Sequence, residues 1–324
     1  ANMGFACAAD VPVVLVGDID RGGVIASLVG TLAVLTPKER AQLRGFIINK
    51  FRGDATLFLA GREAIVERTG LADLGLVPWF AGASRLPAED ASGLDTRRVS
   101  ASAPIRIAVL RLPCIANFDD LDPLKAEPDV ALDLIGAGDA LPGDADAVIL
   151  PGSKATIADL AALRANGWDI DLAAHVRRGG HVLGVCGGYQ MLGHAITDPD
   201  RIEGNIDSAV GLGLLEIETR LGAHKILRQT RGTCTRSGAV VAGYEIHLGI
   251  TTGAATARPM LRLDTRPDGA VSTNGRIEGC YLHGLFEQAA FRKAWLDRLR
   301  ARRGLALGAQ GQDWDIEVDH TLDR

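Results

Sequence analysis

A cysteine stands between glycines in Gly184-Val185-Cys186-Gly187-Gly188, after an apolar run and before a helix-like one. A strand that turns sharply into a helix strains the middle residue of G-x-nucleophile-x-G and exposes its side chain at the C-terminal edge of a sheet. Flanking glycines let the two backbones crowd without Cβ clashes. The cysteine then lies at a helix N-terminus, where partial positive charge favours thiolate. The Gly187 N–H points to where an oxyanion would form. The same string also describes a buried cysteine in a glycine-rich turn. A base within reach separates the two readings, because a cysteine nucleophile needs one.

Seven histidines are candidates for that base. His283, in Cys280-Tyr281-Leu282-His283-Gly284-Leu285-Phe286-Glu287, ends a short apolar run before a glycine. That is a strand-end address, where sheet proteins place catalytic side chains. His247, in Tyr244-Glu245-Ile246-His247-Leu248-Gly249, shares one face of an alternating strand with Glu245. Both could line a substrate pocket, although a structural role explains them more simply. His175, His181, His194 and His224 read as structural or surface residues, and His320 as solvated in an acidic tail.

A second group suits phosphate chemistry. Asp18 and Asp20 follow an apolar strand, where a magnesium-holding acid of a phosphate-loop protein sits. Arg21 could meet phosphate or a substrate carboxylate in bidentate geometry. Gly22 and Gly23 open the next helix, whose N-terminus favours anions. Asp20 is equally a simple helix cap. Asn49 and Lys50 end a second strand, and an Asn-led turn explains them as well. Arg52 and Asp54 are weaker candidates. The phosphate cradle G-x-x-x-x-G-K-[ST] does not occur in the sequence.

The elements that must position these groups read as α/β. Val11–Val16, Gly45–Asn49 and Gly75–Pro78 read as buried strands, with helices over Gly22–Leu35, from Pro37 to Leu43 and over Phe58–Arg68. This alternation implies a parallel sheet. Residues 81–104 turn small, charged and rich in Pro, Ser and Ala, as an interdomain linker does. A second α/β unit then brings strands at Ile105–Leu110, Ala147–Leu150 and His181–Val185. Its helices are expected over Thr156–Ala165, Asp171–Arg178 and Gly187–Ala195. Short β segments follow from Gly211 to about Tyr281, then a closing helix over Phe291–Arg303. The expected domains are 1–84, a linker over 85–103, a second domain over 104–303 and a solvated or loosely docked tail over 304–324.

Bulk properties set limits. The chain has 324 residues, enough for two domains. A net charge of −5 argues against nucleic acid as the main partner. No apolar run approaches a membrane span. Five cysteines, widely spaced and without CxxC, argue against a disulfide framework or zinc ribbon and favour the reducing cytoplasm. The opening string ANMGFACAADVPVVLVGD reads as the middle of a domain, so a preceding N-terminal piece is expected.

Taken together, the motifs carry a resemblance. GVCGGYQMLG, PGSKATIADL at 151–160, GYEIHLG at 243–249 and YLHGLF at 281–286 resemble the triad-type glutamine amidotransferase domain of the cobalamin-pathway amidases. ANMGFACAADVPVVLVGDIDRGGV at 1–24 and GFIINKFRGD at 45–54 are similar to the cobyric acid synthases within that family. The resemblance implies a class I amidotransferase domain behind a partial P-loop, dethiobiotin-synthetase-like domain whose phosphate loop lies upstream. It implies amidation of four peripheral carboxylates (b, d, e and g) of the corrinoid adenosylcobyrinic acid a,c-diamide, using glutamine, ATP and Mg2+. Cys186 would attack glutamine and His283 would move the protons. The backbone at Gly187 and Gly152, within the Pro151-Gly152-Ser153 turn, would hold the oxyanion. Asp18, Asp20, Arg21, Asn49 and Lys50 would belong to the nucleotide site, with Asp18 and Asp20 on magnesium. Many triad amidotransferases carry an acid two positions after the histidine, where this chain has Leu285. Glu287 orients His283 only if the chain turns helically there. A sibling a,c-diamide synthase, or outside enzymes a cysteine redox sensor or binding scaffold, remains an alternative. A sensor needs only a low-pKa thiol.

Overall fold

The computed structural model describes residues 2–86, 103–264, 266–309 and 311–323. These form two compact units, Ala1–Ser84 and Arg85–Arg324. Most of the 85–103 linker expected from the sequence lies outside the described residues. Among the described residues, no helix is long and apolar enough to cross a membrane.

The first unit is a three-stranded parallel sheet in the order β1 (Val13–Asp18), β2 (Leu43–Phe51), β3 (Ala72–Pro78). Helices α1 (Val24–Val34) and α2 (Leu59–Thr69) cross between them, as parallel pairing requires. Phe46, Ile48 and Ile65 are fully buried against Val24 and Leu28. The register pairs Asp18 with Asn49, so the acids after β1 and the Asn-Lys pair of β2 share one sheet edge. The β2 strand runs longer than its GFIIN core because Leu43 pairs with Val13 at one end and Phe51 with Pro78 at the other.

The second unit is built on a six-stranded sheet. Its strands are β4 (Ile105–Leu110), β5 (Val130–Ile135), β6 (Ala147–Leu150) and β7 (His181–Val185), then β8 (Ala270–Val271) and β9 (Ile277–Cys280). The spatial order is β8-β9-β7-β6-β4-β5, and only the β8–β9 pair is antiparallel. The β6 run Ala-Val-Ile-Leu is buried at every position, as expected of a parallel strand covered on both faces. One face packs on Trp295, Leu296 and Leu299 of the closing helix, the other on Leu160, Leu163, Trp168 and Leu172.

Three differences from the sequence reading have local causes. The β5 strand went unrecognised because Asp133 interrupts its apolar run. That carboxylate is buried and accepts a 2.7 Å hydrogen bond from Arg106 Nε. The region after Gly211 is dominated by one long antiparallel hairpin, Glu218–Cys234 with Val240–Thr252, rather than short segments. Its first strand is largely exposed and polar, so it lacks the apolar alternation that marks a strand. The tail does not float. A helix over Trp314–Leu322 buries Trp314. The Trp314 N–H donates to Glu287 O at 2.8 Å, and Asp313 Oδ1 accepts the Ala289 N–H at 2.7 Å.

Candidate active site

Two adjacent parallel strands deliver the two reactive side chains. In the sheet, β7 pairs with β9 so that Val185 lies beside Cys280. Cys186 is the next residue after β7, and its N–H donates to Cys280 O at 2.8 Å. Beyond Cys280 the chain crosses into the hairpin sheet, where Leu282–His283 pairs with Tyr244 and Glu245. Strand ends at one sheet edge therefore bring residues 186 and 283 together, although 97 positions of sequence separate them.

The elbow is built as its glycines predict. Cys186 has φ 53° and ψ −111°, a conformation that L residues rarely adopt. A Cβ on Gly188 would lie 2.0 Å from Leu150 O, and one on Gly184 would lie 2.6 Å from Gly188 O. Both obstacles are backbone atoms that cannot step aside. Gly188→Ala is expected to unfold the elbow or cost about 3 kcal/mol. Urea denaturation measures this, and a midpoint equal to the parent's would contradict the close packing. The helix after the cysteine spans only Gly187–Met191, not the expected run to Ala195, because Ala195–Thr197 leaves as a strand.

His283 is fully buried and Cys186 is 7% exposed. His283 Nδ1 lies 2.7 Å from Asp120 Oδ2, while Asp120 Oδ1 accepts the Gly284 N–H at 2.7 Å. Asp120 thus fixes both the ring and the backbone that follows it. His283 Nε2 has no hydrogen-bond partner among the described residues. The thiol donates to Ile246 O at 3.4 Å. Burial opposes charge on the ring, yet the Asp120 carboxylate and Cys186 offset it and push the His283 pKa up to about 10. Tyr244 stacks on the ring, with centroids 5.3 Å apart, and its hydroxyl accepts a 2.5 Å bond from Asn117 Nδ2.

The sequence reading missed Asp120. The Nδ1 position that Glu287 was considered for is occupied by this residue from a segment 163 positions away. Burial, with Asp315, Asp120 and Asp119 nearby, raises the Glu287 pKa to about 7. A second acid in a cluster cannot ionise cheaply. The string Phe118-Asp119-Asp120-Leu121-Asp122-Pro123 reads as an ordinary acidic, proline-opened helix start, and nothing in it points to His283.

The Pro151-Gly152-Ser153 turn reaches the same place. A Cβ on Gly152 would lie 3.1 Å from His283 Cε1, and one on Gly187 would lie 3.0 Å from Ser153 N. Buried Asp159 holds the turn by accepting Ser153 Oγ at 2.6 Å and the Cys114 N–H at 3.0 Å. Glu245 and His247 flank Ile246, whose carbonyl accepts the Cys186 thiol. Glu245 is buried between Arg228 and Arg266. His247 stacks on Tyr281 at 3.7 Å, and burial pushes its pKa down to about 4.

The nucleotide-site residues gather at their own sheet edge in the first unit. Asp18 Oδ1 accepts the Asp20 N–H at 3.0 Å, and Oδ2 accepts Lys50 Nζ at 2.8 Å. Asp20 Oδ1 accepts Arg52 Nε at 3.1 Å, and the Arg52 guanidinium lies 3.5 Å over the Trp79 ring. Arg21 is largely exposed and stands 3.6 Å from Asp18. Asn49 Oδ1 accepts the Lys50 N–H at 2.8 Å, and Asp54 accepts from Thr56. Both Asp18 oxygens are engaged, and among the described residues no group of three or more His, Cys, Asp or Glu side chains is placed to hold a metal ion. Asp18 and Asp20 thus each pair with a basic side chain at the end of β2, Lys50 and Arg52.

A strained cysteine, a buried histidine with one open nitrogen, and a carboxylate on the other nitrogen can perform acyl transfer through a thioester. Comparison with known proteins agrees. The family described as "CobB/CobQ-like glutamine amidotransferase domain" matches residues 106–291. A cobyric acid synthase of Paracoccus denitrificans (strain Pd 1222) is 59% identical over 324 residues, covering 100% of this chain and 65% of that protein. Cobyric acid synthases of Bradyrhizobium sp. (strain BTAi1) and Methylocella silvestris are 56% and 54% identical, again across the whole chain and covering 65% and 66% of those proteins. The chain thus spans about 65% of the length of the curated relatives it matches. With the family match running from β4 into the closing helix and enclosing Asp120, Cys186 and His283, the chain belongs to the CobB/CobQ-like glutamine amidotransferases.

Proposed function

We propose that this chain carries the glutamine-splitting half, with part of the synthetase half, of a cobyric acid synthase. The observation that carries the reading is Asp120 Oδ2 2.7 Å from His283 Nδ1, with Cys186 close enough to the ring to act on its charge. The Cys186 thiolate attacks the side-chain carbonyl carbon of glutamine. The N–H groups at Gly187 and the 151–153 turn receive the developing oxyanion. Imidazolium of His283 gives its Nε2 proton to the departing nitrogen, the C–N bond breaks, and ammonia leaves a thioester. Neutral His283 then takes a proton from water, and the resulting hydroxide attacks the thioester carbon. Glutamate departs and the thiolate returns, so glutamine and water become glutamate and ammonia.

Ammonia alone does not amidate a carboxylate. An acyl phosphate made with ATP supplies the electrophile. By its likeness to the named relatives, the acceptor is a corrinoid carboxylate, adenosylcobyrinic acid a,c-diamide at b, d, e and g, with magnesium accompanying ATP. The 324 residues contain no G-x-x-x-x-G-K-[ST] loop, so the expected behaviour is asymmetric. The chain releases glutamate from glutamine, while calorimetric titration finds ATP no tighter than about 1 mM. Micromolar ATP binding would mean that the residues at the β1 and β2 ends form a nucleotide site without the loop. A chain that is folded but releases no glutamate would remove the glutaminase reading.

A further inference from the structure

One buried charge outside the reacting groups ties their supports together. Arg292, in the helix Ala289–Arg302, is 2% exposed. Its Nε donates to Glu127 Oε1 at 2.7 Å. Its Nη1 donates to Phe286 O at 2.7 Å and Glu287 O at 3.2 Å, and its Nη2 to Gln312 O at 2.8 Å. Glu317 of the tail helix lies 3.7 Å away. The partners are not random. Glu127 follows the helical turns, Phe118–Leu121 and Asp122–Lys125, that contain Asp120. Phe286 and Glu287 form the turn just after His283. Gln312 precedes the docked tail.

We propose that Arg292 is a positioning residue for glutamine hydrolysis, holding the Asp120 segment and the His283 turn in the register at which carboxylate and imidazole meet. The inference rests on the hydrolytic reading of Cys186, His283 and Asp120. Its physical basis is the shape of the side chain. A guanidinium is planar, stays charged and presents five donors in a fixed fork, so one group sets the mutual distance of three segments. A buried charge is poor value for stability alone, since apolar packing of similar volume often serves as well. It suits a place where geometry matters, and reacting groups displaced by about 1 Å lose on the order of 100-fold in rate. Asp120 sits in a helical turn and His283 at the end of a short strand, and Arg292 bonds the chain just beyond each.

The test uses the 324-residue chain with Arg292→Lys and Glu127→Gln. Lysine keeps the charge but loses the fork; glutamine at 127 keeps an oxygen to accept Nε–H. Arg292→Lys is expected to lower kcat for glutamate release about 10- to 100-fold with KM changed less than about threefold. The downfield proton resonance of the His283–Asp120 hydrogen bond should broaden or vanish. Glu127→Gln should keep kcat within about threefold and keep the resonance. If Arg292→Lys does not fold, Glu127→Ala, which removes the Nε contact along with a 3.9 Å ion pair to Arg300, takes its place with the same expectations. A folded variant with parental kcat and an intact resonance overturns the proposal. So does a kcat loss that only tracks the unfolded fraction. The resonance reads the register even in a chain without glutaminase activity, so failure of the hydrolytic reading is seen separately.

Discussion

Cys186→Ser gives a folded chain whose glutamate release falls at least about 10⁴-fold. Serine is nearly isosteric, tolerates the φ of 53° no worse than cysteine, and its hydroxyl can still donate to Ile246 O. The fold is therefore kept while the nucleophile is lost. A hydroxyl titrates far above a thiol, and His283, with its pKa raised to about 10, is protonated at neutral pH and cannot take the hydroxyl proton. The other cysteines give no substitute. Cys280 is fully buried, and burial raises its thiol well above the usual range; Cys114 is raised as well, by burial and by Asp159. Coupled measurement of glutamate and of the urea midpoint separates the two effects. Retained turnover in a folded Cys186→Ser chain would move the chemistry elsewhere.

Asp120→Asn is expected to lower kcat/KM by about 10²- to 10³-fold. Asp120 uses both oxygens as acceptors, one for the Gly284 N–H and one for His283 Nδ1. An amide has only one acceptor oxygen. Its NH2 must face either a backbone donor or the ring, which forces a lost bond or the wrong tautomer. The charge matters too. With Asp120 present, the folded His283 pKa is raised to about 10 from 6.5. The stability this contributes is complete below the unfolded value and is lost as pH rises through the folded one. Without the carboxylate, burial acts unopposed and the imidazolium gives up its proton at lower pH. The alkaline limb of the glutaminase profile and the alkaline loss of stability both move downward. A profile unchanged in position would mean that Asp120 does not set the charge on His283.

Much of this site was legible because its logic is local. The elbow announces itself within five residues, and the glycines at 184 and 188 are there because backbone passes within van der Waals range of where their side chains would be. His283 was legible as a strand end before a glycine, and Gly284 does take φ 76°. The parallel strands of β4, β6 and β7 were legible as short unbroken apolar runs. What stayed hidden depends on distant partners. Asp120 acts only through a contact 163 residues away, and nothing in its neighbours' spacing names His283. Asp133 disguised β5 because its cost of burial is offset by Arg106, far off in sequence. The acidic tail looked solvated because its docking depends on Arg292, Asp313 and Trp314 meeting carbonyls and amides of another helix turn. The pairing of Asp18 and Asp20 with Lys50 and Arg52 was hidden too, because it joins positions 32 residues apart.

The most direct measurement is covalent labelling with a glutamine analogue bearing an electrophilic ketone, followed by peptide mass analysis of the whole chain. One adduct, on Cys186, formed quickly at neutral pH, blocked by free glutamine and slowed in Asp120→Asn, is the predicted result. Modification spread over several cysteines, or an adduct at position 186 that glutamine does not prevent, would contradict the account.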